Sequence, residues 1–370
     1  MESDDESKPD IVIDPGSCFF KAGFAGEYEP KSVLRTCVGS SNSKNEYFIG
    51  RDAETKKEDL LKLNYPIKQG FIENWDDMEN ILNNIFINEL LVDPSEHKVM
   101  FTQQLMNPKD EKKHLAQIMF ETFNVPGLYL EYSTLCSLLS SGKWTGVSIE
   151  LGGDTTQICP FVDCKPKPYT FEKLYFGGNA ITDYLFSLFN YNCKMFYNSK
   201  YKSCMEDIKE KSCYVALDFE EEFGIVDSYD YLLPDNENLI VKEERFKAPE
   251  AIFKPSLLGK DEEMGLSRIC NKLIKKFDHE KKELYNSITL SGGNSMFNGL
   301  KDRLTKEMKF LAYEDFKEEV YVIDSSERKF NAWIGAAILA NTLKEKWITK
   351  EMYEESGISI IYKEDCLEFK

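Results

Sequence analysis

The sequence predicts a mixed α and β chain built by duplicating one plan, and three observations carry that expectation. Near the N-terminus a short apolar strand runs into a tight glycine turn and returns as a second strand. The same arrangement recurs 136 residues later. Between them lie segments whose apolar residues repeat at the helical spacing of three and four. A repeat at domain-length spacing points to a duplicated fold with a cleft between its halves, not to a solenoid. A length of 370 residues accommodates two or three domains or one large two-lobed body, and 42% hydrophobic with 13% aromatic residues supply a sizeable core.

Residues 1 to 9 are charged and read as a mobile terminus. Ile11-Val12-Ile13 is the first strand, stopped at Asp14-Pro15-Gly16-Ser17, where proline and glycine force a turn. Cys18 to Phe24 resumes as the second strand. Residues 38 to 46 read as a polar loop. Met78, Ile81, Leu82, Ile85, Phe86 and Leu90 share one face of a helix over 76–91. Leu115, Ile118, Met119 and Phe123 do the same over 109–123, which Asn107-Pro108 opens. Val147 to Ile158 then repeats the opening: strand, Glu150, the turn Gly152-Gly153-Asp154, strand. The stretch 205 to 213 is amphipathic and charged. Leu284 to Leu290 reads as a strand feeding a third glycine turn, Ser291-Gly292-Gly293-Asn294, and 333–343 as an apolar helix.

Composition excludes several functions. Lys and Arg total 46 against 64 Asp and Glu, a net charge of −18. Affinity for nucleic acid or for an anionic membrane rests on cationic contacts, so the balance argues against both. Three histidines leave little for a multi-histidine zinc site, and none of the ten cysteines forms a C-x-x-C pair. In a chain this large the cysteines read as reduced, buried or half-buried thiols. The acidic N-terminus lacks the apolar run of a signal peptide, and Ala332 to Ala340 is too short to span a bilayer. The expectation is a soluble, reducing compartment, cytosol or nucleus.

Glycine turns between strands expose backbone N–H groups, and such concavities bind phosphate oxygens. Two facing turns would clamp the phosphates of one nucleotide, with Lys21 neutralising charge. Asp14 and Glu150, at equivalent strand ends, would orient waters on Mg²⁺, which takes few carboxylates directly. Gly292-Gly293 would let backbone approach the nucleotide without a Cβ in the way. Each turn alone is commonly a plain hairpin; the matched pair and the third turn together make the case.

These residues carry a resemblance. The chain is similar to the actin and actin-related protein family from Ile11 to about Ile361. The matching segments include Lys21 to Gly26, Tyr65-Pro66-Ile67, Asn74 to Met78, Gln117 to Asn124 and Ile208 to Lys211. Tyr214 to Glu220, Leu290 to Gly293, Glu327 to Lys329 and Trp333-Ile334-Gly335 continue the match. The resemblance implies the α/β actin-like ATPase fold: duplicated ribonuclease H-like lobes, four subdomains, and ATP or ADP with Mg²⁺ or Ca²⁺ in the cleft. Subdomain 1 is expected over 1–35, 66–140 and 331–370, and subdomain 2 over 36–65. Subdomain 3 is expected over 141–176 and 261–330, and subdomain 4 over 177–260. Asp14, Gly16, Ser17 and Lys21 match the first phosphate loop and its metal-water carboxylate, and Cys18 occupies the same loop. Gly152 matches a glycine of the second loop, in which Gly153 and Asp154 also stand as expected cofactor contacts. Gly178, Lys209, Glu210, Gly292, Gly293, Met296 and Lys329 match the surroundings of ribose and adenine. Without the resemblance Lys209, Glu210 and Lys329 would read as solvated charges, and Met296 as core.

The chain also departs from the family. Where actins carry a glutamine, an aspartate and a histidine for hydrolysis, it has Ser133, Glu150 and Gln157. Phosphoryl transfer to water depends on positioning, so three changes together are expected to slow it substantially. The second loop runs Gly-Gly-Asp instead of Gly-Asp-Gly, which would place Asp154 in a backbone conformation costly outside glycine. Cys18 replaces a glycine of the first loop. Backbone amides supply most phosphate contacts, so ATP is still expected to bind. The polar stretch between Gly39 and Tyr47 and the segments Glu220–Leu232 and Ala340–Trp347 are short for the family, and Lys143-Trp144 is unusual. Short loops remove contact area that a self-assembling polymer needs, and a −18 charge opposes self-association while favouring basic partners.

The expected protein is therefore a divergent actin-related or actin-like chain. It is an ATP-binding subunit of a cytoskeletal or chromatin-associated assembly, with protein partners, actin among them, and weak or no hydrolysis. Cytoplasm and cytoskeleton are its expected location, with the nucleus left open. The rival readings are a divergent polymerising actin with ATPase activity and a metabolite kinase on the same fold.

Overall fold

The computed structural model describes residues 8–41, 47–56, 62–190, 199–342 and 346–363. It divides into two compact halves, residues 1–144 with 330–370 and residues 145–329. Of the expected polar loop over 38–46, residues 42–46 lie outside the described part, and Val38–Ser40 is a strand paired on both sides. Of the terminus expected to be mobile, Lys8 and Pro9 are tied down: Lys8 pairs with Glu96, and the Pro9 carbonyl meets His97 Nδ1 at 2.8 Å.

The first half is built on strands β1 (Ile11–Pro15), β2 (Phe19–Phe24), β3 (Ser32–Arg35), β4 (Val99–Gln103) and β5 (Gly127–Tyr132). Their order is β5-β4-β1-β2-β3, with Ile348–Thr349 added beside β5. β1 and β2 form an antiparallel hairpin, whereas β4 and β5 run parallel to β1. β1 is apolar at every position from Ile11 to Ile13 because both its faces are covered. Ile11 and Ile13 pack with helices α1 (Trp75–Asn84) and α2 (Lys109–Gln117). Val12 packs on the other face with Met100, Cys136 and Trp333. α1 opens on Asn74, whose side chain accepts from the Asp77 amide, and both helices continue as π-helical turns over Ile85–Leu90 and Ile118–Thr122. Helix α3 (Ser133–Leu139) crosses the Asn331–Thr342 helix closely enough that a Cβ on Gly335 would lie 1.7 Å from the Cys136 carbonyl oxygen. Only glycine fits there.

The second half repeats the plan with β6 (Gly146–Leu151), β7 (Thr156–Val162), β8 (Lys165–Pro166), β9 (Ile288–Ser291) and β10 (Val322–Ile323). The order β10-β9-β6-β7-β8 reproduces the five-strand order of the first sheet, including which pairs are parallel, and the sixth strand, Glu172–Leu174, pairs with β7. Helices α4 (Gly178–Asn190) and α5 (Ser199–Ser212) pack with this sheet in one continuous core. The strand expected over Leu284 to Leu290 is shorter. Leu284 and Tyr285 close a helical turn over Lys281–Tyr285, and the strand begins at Ile288. Apolar residues served both elements, so their periodicity gave no boundary. All eight cysteines described are free thiols; burial pushes Cys213 and Cys270 up to about 12 and makes them inert.

Candidate functional site

In an open α/β sheet, ligands bind at the carboxyl ends of the strands where the strand order changes direction. That point falls between β1 and β4 in the first half and between β6 and β9 in the second. The turns singled out in the sequence stand there.

In the first half the strand runs further than expected: Asp14 and Pro15 still pair in β1, and the turn proper starts at Gly16. Asp14 faces Lys21 across the hairpin, and Lys21 Nζ lies 2.5 Å from Asp14 Oδ2. Thr102, near the end of β4, donates from its hydroxyl to Asp14 Oδ1 at 2.5 Å. The carboxylate is thus buried and fixed in direction by a cation and a hydroxyl. The Gly16 amide donates to the Phe19 carbonyl at 3.1 Å, and a Cβ on Gly16 would sit 2.7 Å from that oxygen. Cys18 is half-buried at the tip.

The second half repeats this geometry at the same offset of 136 residues. The Gly152 amide donates to the Thr155 carbonyl at 2.9 Å, and Glu150 faces Gln157 across the hairpin as Asp14 faces Lys21. Ser291 stands beside Glu150 on the parallel strand, where the first half has Thr102 beside Asp14. The strained backbone expected for Asp154 is absent. None of Gly152, Gly153 and Asp154 has a positive φ. Instead the Asp154 carboxylate accepts from Asn179 Nδ2 at 2.6 Å.

The structure links Gly152, Gly153, Asp154, Gly178, Lys209 and Gly292 of this half through shared contacts. Gly178 and Asn179, at the start of α4, donate their amides to the Gly152 and Gly153 carbonyls at 3.0 and 2.8 Å. Asn294 Nδ2 adds a second bond to the Gly152 carbonyl at 2.6 Å. A Cβ on Gly178 would lie 2.3 Å from Asn294 Nδ2, and one on Gly292, whose φ is +86°, 2.4 Å from the Leu151 carbonyl. Lys209 is not on a solvated helix face: it is buried, and its ammonium bonds the Gly178 carbonyl and Thr182 Oγ1 at 3.0 and 2.9 Å. Glu210 and Lys329 are exposed, Gly293 has open space around it, and Met296 is 37% exposed, more than a core methionine would be. Of the positions tied to hydrolysis, Ser133 is buried at the start of α3, and Gln157 is buried on β7 beside the half-buried Glu150.

Thr36, Thr102, Asn179 and Thr182 bond to these turns and were not singled out by sequence, and Asn294 was read only as the end of the third turn. Each acts from another element, so no local motif marks them. The 136-residue offset locates the equivalent turns, but only sheet register shows that Thr102 corresponds to Ser291.

The residues suit a nucleotide with a divalent cation. The backbone amides of Ser17 and Gly153, one in each turn, make no hydrogen bond with any described residue. Lys21 supplies a cation beside the first turn. The buried strand-end carboxylate of Asp14 suits a cation that keeps most of its waters. Among the described residues no three His, Cys, Asp or Glu side chains are grouped to hold a metal directly.

Two halves on one strand plan, each with a glycine turn at the carboxyl end of its central strand, define a duplicated α/β protein with paired phosphate-type turns. A model of the actin family matches residues 5–365. The chain belongs to the actin family, and its fold is the actin-like ATPase fold.

Proposed function

We propose that this chain is an ATP-binding structural subunit of a multiprotein assembly, with weak or no ATP hydrolysis. The observation that carries the reading is the matched pair of turns, Gly16–Phe19 and Gly152–Thr155, closed by the same bond and each offering an unbonded amide. ATP or ADP with Mg²⁺ or Ca²⁺ is the proposed cofactor, and the cation supplies charge neutralisation at the phosphates. Ser17, Gly153 and Lys21 hold phosphate oxygens; Asp14 and Glu150 orient metal-bound water. Gly178, Gly292, Gly293, Met296, Glu210 and Lys329 surround the nucleoside, while Lys209 acts through Gly178.

Weak hydrolysis follows from the side chains at the positions that the family resemblance ties to attack by water. Ser133 is short and buried, and Gln157 is buried and does not titrate. A structural role follows from the charge of −18, which favours basic protein surfaces over copies of the chain. The partners are subunits of a cytoskeletal or chromatin-associated assembly, in cytoplasm or nucleus.

Two measurements test this. Mg-ATP at a hundred times its Kd is expected to stabilise the protein by about 2.7 kcal/mol in a thermal-shift titration. No shift at millimolar Mg-ATP overturns the nucleotide reading. In high-speed sedimentation with Mg-ATP the protein is expected to stay in the supernatant at micromolar concentration. Robust pelleting would overturn the non-polymerising reading in favour of the alternative, a polymerising actin with ATPase activity.

A further inference from the structure

The turn amides do not aim themselves. In a trans peptide the C=O of one residue and the N–H of the next point in opposite directions, so fixing a carbonyl fixes the following amide. The described chain has no cis peptide. In the first turn the Thr36 hydroxyl donates to the Gly16 carbonyl at 2.6 Å, and the Thr36 amide donates to the Cys18 carbonyl at 3.0 Å. The Gly16 carbonyl shares its peptide plane with the Ser17 amide. In the second turn the Gly152 carbonyl is held by Asn294 Nδ2 and the Gly178 amide, and it shares its plane with the Gly153 amide. The carbonyl equivalent by the 136-residue offset is therefore clamped in both halves, by side chains unrelated in type and in origin. Both clamping side chains are buried: Thr36 is 1% exposed and Asn294 9%.

We infer that Thr36 and Asn294 are positioning residues for phosphate, one in each half, which aim the Ser17 and Gly153 amides by holding the carbonyls behind them. Neither touches the ligand. Lys209 serves the same end one step removed. It fixes the Gly178 carbonyl, whose plane carries the Asn179 amide bonded to Gly153. The inference rests on the nucleotide reading and says which residues make the turns competent for it. Thr36 offers a donor to each end of its turn, so losing the hydroxyl frees the Gly16–Ser17 peptide to rotate while the Cys18 contact keeps the loop in place.

The test compares ATP with adenosine, which lacks the phosphates, by equilibrium titration in Mg²⁺ with the full chain. Parent protein is expected to bind ATP more tightly than adenosine. Thr36→Val keeps the volume and removes the donor. Asn294→Leu does the same in the second half. Each is expected to lower ATP affinity about tenfold, as for a lost buried hydrogen bond, and to leave adenosine affinity unchanged. Thr36→Ser, which keeps the hydroxyl, is expected to restore the parent ratio. A merely structural role would lower both affinities together. An unchanged ATP-to-adenosine ratio in Thr36→Val and Asn294→Leu overturns the inference, as does a parallel loss of both ligands. A parent protein that binds ATP no better than adenosine overturns the nucleotide reading itself. Should Thr36→Val fail to fold, the Thr36→Ser and Asn294→Leu ratios decide alone.

Discussion

Replacing Arg303 by leucine is expected to destabilise the half formed by residues 145–329 by about 3–5 kcal/mol, the cost of stranding a buried charge. The guanidinium reaches Glu250 at 3.0 and 3.3 Å, the Ala216 carbonyl at 2.9 Å, and Glu307 on its own helix. Glu250 is 5% exposed. Burial pushes its carboxyl above the ordinary range, and Arg303 works against that push. Without Arg303 the upward push is opposed by the charge of Lys254 alone. A carboxyl whose folded pKa lies above its unfolded value binds more protons in the native state, so stability falls as pH rises through that window. The deficit of the variant is therefore expected to shrink when pH is lowered from 7 toward the carboxylate range. Denaturant unfolding at the two ends of that range checks both statements. A loss below about 1 kcal/mol, or a deficit that grows on acidification, contradicts them. Adding Glu250→Gln removes the stranded charge and is expected to recover part of the loss.

Trp333→Ala is expected to cost the other half about 3–5 kcal/mol, the range for truncating a large buried aromatic side chain. Trp333 is fully buried among Val12, Met100, Cys136 and the alanines of its own helix. Its indole N–H donates to the Val12 carbonyl at 3.0 Å, so one residue joins the Asn331–Thr342 helix to the central strand that carries Asp14. A Cβ on Gly23 would lie 2.7 Å from the indole ring, which shows how closely strand and helix approach. Trp333→Phe keeps most of the ring and loses the donor, and is expected to cost about 1 kcal/mol for the hydrogen bond plus a small cavity term. Thermal unfolding of the two variants separates packing from hydrogen bonding. Equal losses in the two variants would show that a phenyl ring recovers nothing at this position and would contradict the packing contribution.

Much of the fold was legible because the duplication writes itself twice. Asp14, Gly16 and Lys21 recur as Glu150, Gly152 and Gln157 at one offset, and the hairpin register places each pair face to face. The helices over Trp75–Asn84 and Lys109–Gln117 were legible from apolar spacing because each buries one face. Reading failed where one composition served two structures. Leu284 and Tyr285 are as apolar as a strand yet close a helix. Lys209, read without the resemblance, is one charge among several on an amphipathic helix, and nothing local shows that Gly178 and Thr182 consume its ammonium. The expected strain at Asp154 assumed that the shifted carboxylate kept the backbone path of its relatives; the structure has an Asn179 contact there and no positive φ.

By itself, then, the sequence determined the duplicated plan, the location of both turns and the family, because glycines, alternating apolar residues and a fixed offset are properties of the chain in order. Tertiary structure alone decided which groups hold the carbonyls of those turns. Thr36 reaches the first turn from beyond β3, and Asn294 reaches the second from 142 residues away. A backbone amide is aimed by whatever holds the carbonyl behind it, and that partner is chosen by sheet register and helix packing, not by its neighbours in sequence.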